Sequence, residues 1–114
     1  MLIKFREFGT SLGTREMGNE LRIKIEEKFD IEDKIEFDLT GIDVISHSYA
    51  DEVFGKLIKR YGIASFKNKT SFIKPNDFVA SVIINVLNES IQQWVSSHYN
   101  IINIDFHIRE LVGN

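Results

Sequence analysis

At 114 residues, 43% hydrophobic, 27% charged and with a net charge of −3, the chain has the make-up of one ordinary globular domain, 1–114. That composition excludes a wholly disordered protein and a strongly basic nucleic-acid binder. The absence of cysteine excludes disulfides, thiolate catalysis and cysteine metal sites. No apolar run approaches the ~20 residues of a membrane helix, and the opening Met-Leu-Ile-Lys-Phe-Arg-Glu lacks a signal-peptide layout. The expectation is a cytoplasmic protein without membrane contact.

In chain order, residues 2–8 read as a first strand. Thr14 is placed to cap a helix to about Phe29, with Met17, Leu21, Ile25 and Phe29 in one row at fourfold spacing. Residues 34–40 form a second strand through alternating Ile35, Phe37 and Leu39. A helix over 48–61 follows, with Tyr49, Val53, Leu57 and Tyr61 beside Ala50, Phe54 and Ile58. Gly55 inside it costs about 1 kcal/mol against alanine, a cost that close packing on a sheet would explain. A third, poorly patterned strand falls within 63–74. Pro75 and Asn76 punctuate, and Asn76 or Asp77 caps the longest helix, over 76–97. Its stripe is Val79, Val82, Ile83, Val86, Leu87, Ile91, Trp94 and Val95. Last, Ile102, Ile104, Phe106 and Ile108 alternate with Asn103, Asp105, His107 and Arg109, the period of a half-buried strand. The prediction is one α/β domain, order β-α-β-α-β-α-β, with a central mixed sheet of four or slightly more strands and three main helices.

The stretch Asp38–Leu57 carries the most information. It reads as a strand, a glycine turn at Gly41, a hydroxyl-rich loop and a helix start. Ser46 and Ser48 both stand where a helix takes its N-cap, and Ser48 with Asp51 has capping-box spacing. Two serines and His47 therefore sit at the exposed end of a strand–helix junction, where α/β proteins keep their working surface.

The run Asp38-Leu-Thr-Gly-Ile, two apolar residues and a serine loop entering a helix resembles the STAS domain, the fold of bacterial anti-sigma factor antagonists. Ser48-Tyr-Ala-Asp-Glu52, Gly55-Lys-Leu57 and the upstream Leu12-Gly-Thr-Arg15 are similar to its STAS-like branch of unknown function. The resemblance covers about residues 9–87, leaving the later part of the long helix and the extra strand beyond it. It implies a regulatory module without enzymatic activity, docking on a protein partner through residues 46–60. The implied partner is an ATP-binding, kinase-like anti-sigma factor, and the implied control is phosphorylation at the position of Ser48. The chain departs from the antagonist pattern at Ser46, where an aspartate is usual, and at Tyr49, where a small glycine normally follows the acceptor.

Other chemistry finds little support in the residues. His47, His98 and His107 have no metal-ligand spacing. Gly9-Thr-Ser-Leu-Gly13-Thr14 lacks the dinucleotide glycine triplet and the Walker lysine, and reads as a turn with a helix cap. No cofactor, metal or catalytic residue is predicted. Lys56, Lys59, Arg60, Lys67, Lys69 and Lys74 fall in a stretch without acids, read as a solvated flank or as a basic surface for an acidic protein face. Nucleic acid is the weaker partner, since the chain is acidic overall and lacks aromatic–basic interleaving. The alternative function is a small ligand- or nucleotide-binding domain, or a minor enzyme, using the same strand–helix loop. Asp51 and Glu52 beside that loop argue against an anion. The terminal strand 101–109 is expected either to extend its own sheet or to pair with a second copy as a homodimer.

Overall fold

A computed structural model describes residues 1–98. The terminal strand predicted over 101–109 lies outside the described residues. Three strands, β1 (Leu2–Lys4), β3 (Ile35–Asp38) and β5 (Thr70–Ile73), form one parallel sheet in the order β1-β3-β5. Two further short strands, β2 (Ser11–Leu12) and β4 (Val44–Ile45), pair parallel with each other. The sheets are therefore parallel among the described residues, not mixed, and they are divided three and two rather than gathered into one four-stranded layer. The first strand ends at Lys4 because Phe5–Phe8 tighten into a 3-10 turn that buries Phe5.

The helices also depart from the three expected. α1 spans Arg15–Phe29, with the Thr14 hydroxyl accepting the Met17 amide at 3.2 Å, as predicted. Leu21, Ile25 and Phe29 are buried, while Met17 at the head of the row is exposed and Gly18 takes its place. The second predicted helix is three pieces in line: α2 (His47–Ala50), a π-helical turn (Asp51–Gly55) and α3 (Lys56–Tyr61). The third strand expected within 63–74 is β5 at Thr70–Ile73, and an unexpected helix, α4 (Ile63–Lys69), leads into it. Gly62 at φ +87° makes the break between α3 and α4, a backbone angle few other residues tolerate. α5 (Asp77–His98) begins under Asn76, whose side-chain oxygen accepts the Val79 amide at 2.7 Å.

All the helices lie on one side of the three-stranded sheet. On the inner side Ile3, Ile35 and Phe37 are buried, and Phe54 sits at the centre of an aromatic cluster, with ring centroids 4.9 Å from Phe37, 5.1 Å from Phe72 and 5.8 Å from Phe5. The outer positions Leu2, Lys4, Glu36 and Ser71 are exposed. Parallel sheets are usually covered on both faces, so this open face sets the described part of the molecule apart. From the long helix, Val79, Ile83, Val86 and Val95 enter the core, whereas Val82, Leu87, Ile91 and Trp94 are only partly buried. Leu87 is thus a rim residue rather than the core residue its place in the stripe suggests. Gly55 does pack closely, but against α5: a Cβ there would meet Ser90 Oγ and Asp51 Oδ1 at 2.7 Å and Val86 at 3.3 Å.

Candidate functional site at the head of the helix 47–61

Asp38 at the end of β3 accepts both the backbone amide (3.0 Å) and the hydroxyl (2.6 Å) of Thr40. Those two bonds hold its carboxyl below the ordinary carboxylate range and fold the chain into the turn that Gly41, at φ +79°, completes. β4 then delivers Ile45 into the core and Ser46 to the surface.

Ser46 is the hinge pin of the site. Its amide donates to Leu12 O at 2.8 Å and its hydroxyl to Gly13 O at 2.9 Å, while the same oxygen accepts the Tyr49 amide at 3.0 Å. Ser46 is therefore the N-cap, and Ser48 sits inside the first turn rather than capping it. Ser48 is half-buried, and its hydroxyl makes no side-chain hydrogen bond among the described residues. His47 beside it is exposed and reaches Glu89 on α5, Nε2 to Oε2 at 3.0 Å. Tyr49 is buried, which pushes its hydroxyl pKa up to about 12.

One turn on, the π-helical segment places two carboxylates against α1. Arg15 Nη1 lies 3.0 Å from Asp51 and 3.1 Å from Glu52. Glu52 is 5% exposed and also contacts Lys56 at 2.8 Å and Arg22 at 3.5 Å. Burial would raise its pKa, but hydrogen bonds from Lys56 and Arg15 outweigh that and hold it below the usual glutamate range. Asp51 and Glu52 in turn raise the Arg15 pKa, and the hydrogen bond to Asp51 is the largest cause. The network continues through Arg22 to Glu26 at 3.1 Å and Asn19 at 2.6 Å, and from Glu26 to Arg60 at 3.3 Å. α1 can approach this closely because position 18 carries no side chain: a Cβ there would stand 2.9 Å from Glu52 Cβ and 3.1 Å from Tyr49 O.

The structure brings Ser46, His47, Ser48 and Asp51 together at one helix head. It does not leave the predicted basic stretch free. Lys56 and Arg60 are tied to Glu52 and Glu26, Lys59 lies 3.9 Å from Asp51, and Lys69 donates to Phe29 O and sits over the Phe29 ring. Lys67 is exposed at the rim of an apolar groove. Sequence reasoning missed Arg15, Arg22 and Glu26 as members of the network. The i,i+4 spacing of Arg22 with Glu26 and of Glu52 with Lys56 is the one local signal that could have found part of it. Among the described residues, no group of three or more His, Asp or Glu could hold a metal ion, and no helix is long and apolar enough to cross a membrane.

These features define a parallel α/β domain whose surface chemistry gathers at the serine-rich head of its second crossover helix. Residues 17–80 match the family described as a STAS-like domain of unknown function (DUF4325), and the chain belongs to that family. No curated protein and no solved structure matches the chain.

Proposed function

We propose that this chain is a regulatory protein-interaction module that docks on a protein partner through the head of the helix 47–61, in the manner of an anti-sigma factor antagonist. The partner class is an ATP-binding, kinase-like anti-sigma factor, and Ser48 is the hydroxyl through which binding is controlled. The observation that carries this reading is the division of labour between two serines. Ser46 performs the capping and anchors the loop to Leu12 and Gly13, which leaves the Ser48 hydroxyl, on the same rigid turn, free to meet a partner or accept a phosphate. A group at Ser48 stands in the first helical turn, where exposed backbone amides and the helix dipole favour negative charge. Asp51 and Glu52 nearby would otherwise repel a phosphate carrying about two charges, but Arg15, Lys56 and Lys59 already neutralise them. With Lys56, Lys59 and Arg60 in surface ion pairs within the chain and Lys69 bonded to Phe29 O, the docking surface narrows to Ser46, His47, Ser48 and the exposed edge of Asp51. Among the described residues, a nucleotide-binding role for the same loop is less well supported, because the basic side chain nearest it, Arg15, is ion-paired with Asp51 and Glu52.

The test is a pair of variants, Ser48→Asp and Ser48→Ala, titrated against a purified kinase-like ATPase with thermal melts run in parallel. Both variants should melt near the parent, and Ser48→Asp should lose binding while Ser48→Ala keeps it. Binding that neither variant changes would defeat the assignment of Ser48.

A further inference from the structure

Ser48 and Arg15 are brought together by contacts on both sides of Ser48. Just before it, the Ser46 hydroxyl donates to Gly13 O at 2.9 Å, which holds the chain leading into Arg15 against the head of the helix 47–61. Just after it, Arg15 Nη1 lies 3.0 Å from Asp51 Oδ2 and 3.1 Å from Glu52 Oε1. Asp51 and Glu52 are the third and fourth residues beyond Ser48, the positions whose side chains neighbour it on a helix surface. At about 100° per residue, Ser48 falls in phase between them. Side chains on a helix also lean toward its N-terminus, which turns both carboxylates, and the guanidinium they hold, back toward Ser48.

Arg15 engages the two carboxylates through a single nitrogen. Its Nη2 and Nε make no hydrogen bond or ion pair among the described residues, and the side chain is 50% exposed. A guanidinium carries its donors in a planar fork that matches a phosphate, and most of this fork is unused. The other cations of the network are engaged elsewhere. Lys56 and Lys59 follow Ser48 by two turns or more, about 12 Å or further along the helix, and reach Glu52 and Asp51 from the C-terminal side. Arg22 is bonded to Asn19, Glu26 and Glu52. His47 adjoins Ser48 in sequence, but its ring reaches Glu89 on α5.

We infer that Arg15 receives a phosphate carried by Ser48, through Nη2 and Nε, while Nη1 keeps its hold on Asp51 and Glu52. This rests on the reading of Ser48 as the hydroxyl that controls docking, and it states how the modified state is held. In the preceding transfer the Ser48 oxygen bonds the γ-phosphorus of ATP as the bond to ADP breaks, and the hydroxyl proton is lost to solvent. The product carries about two negative charges beside two carboxylates, and Arg15 is the cation placed to offset them. Phosphorylation therefore leaves the helix head folded and ties it across to α1, so that control acts by presenting a fixed charge within the docking surface.

The test builds phosphoserine into position 48 of the full chain during synthesis and needs neither kinase nor partner. Phosphorus NMR follows its second ionisation against pH, in the folded protein and in urea. From about 6 in urea, the value should fall by about half a pH unit or more on folding, because an adjacent cation favours the doubly charged form. Arg15→Gln should return it to the urea value or above, and Arg15→Lys should recover part of the lowering. Lys56→Gln, which removes a partner of Glu52 on the far side, should have less than about half the effect of Arg15→Gln. Circular dichroism checks that each variant is folded. The Arg15 dependence should persist with His47→Gln, which removes the imidazole that ionises in the same range. An ionisation unmoved or raised on folding would overturn the pairing, as would equal effects of Arg15→Gln and Lys56→Gln. Failure of the Ser48→Asp titration against the ATPase would count against docking and not against this contact, so the two readings fail separately.

Discussion

Gly18→Ala opposes two effects whose sizes differ. In the middle of α1, alanine is favoured over glycine by about 1 kcal/mol on helix propensity alone. Against that, the new methyl would lie 2.9 Å from Glu52 Cβ, 3.1 Å from Tyr49 O and 3.4 Å from Val53 Cγ2. Two of those atoms belong to or adjoin the backbone of a neighbouring helix, so no side-chain rotation clears them. Forcing a methylene into a packed site of this kind costs about 1–3 kcal/mol, and rigid neighbours push the cost towards the upper end. The net expectation is a loss of about 1–2 kcal/mol, read in urea melts as a lower midpoint with an unchanged slope. Gly55→Ala is the comparison, because its closest neighbours at 2.7 Å are Asp51 Oδ1 and Ser90 Oγ. Both are side-chain ends that can turn away, so this variant should lose less than Gly18→Ala. A Gly18→Ala protein as stable as the parent, or more stable, would refute the close approach of α1 to the π-helical turn.

Ser46→Ala should cost about 1 kcal/mol through loss of the cap, while Ser48→Ala should stay within about 0.5 kcal/mol of the parent; equal losses in thermal melts would contradict the assignment of the cap. Glu52 has a folded-state pKa held below its unfolded value, so its contribution is present above about pH 4.3 and is lost as pH falls further, through the lower folded pKa. Glu52→Gln should therefore flatten the fall in melting temperature below pH 4.3. At neutral pH it should cost about 1–3 kcal/mol, less than for a fully buried pair because Arg15 and Lys56 are about half-exposed and can be rehydrated. Phe54→Ala, at the centre of the aromatic cluster, should cost about 3–5 kcal/mol. Leu87→Ala on the groove rim should cost under about 2 kcal/mol, and denaturant melts that reversed this order would move the core.

What was legible in the sequence was whatever local spacing controls. Thr14 and Asn76 cap the helices they precede, Gly41 turns the chain, and the Ile35–Phe37 alternation gives β3. The choice between Ser46 and Ser48 was not legible, because both residues can cap and their spacing is neutral. It is made by Leu12 and Gly13, which lie more than thirty residues away in sequence and reach Ser46 only through the β2–β4 ladder. Within 63–74 the short strand was anticipated, but the helix over Ile63–Lys69 before it was not. Phe66, Asn68, Thr70 and Phe72 share a parity, but Gly62 starts a new helix and Ile63 and Phe66 are buried at helical spacing. The ion-pair network was invisible because it joins α1 to a segment more than thirty residues downstream.

The π-helical turn also settles a question of phase. Residues four apart in an α-helix advance about 40° beyond a full revolution, so the row Tyr49, Val53, Leu57 would rotate steadily away from the sheet. It stays buried throughout because the wider turn at Asp51–Gly55 takes up the excess. One residue is in effect stored in that turn. Deleting it would let the helix run on unbroken with Leu57 and Ile58 still facing the core, because only the stored residue is lost. Upstream, Ser46 and His47 would not move at all. The turn acts as a phase adjuster between the anchored head of the helix and its buried shaft, so one residue lost from it should be better tolerated than one lost from α3, which turns everything beyond it through about 100°.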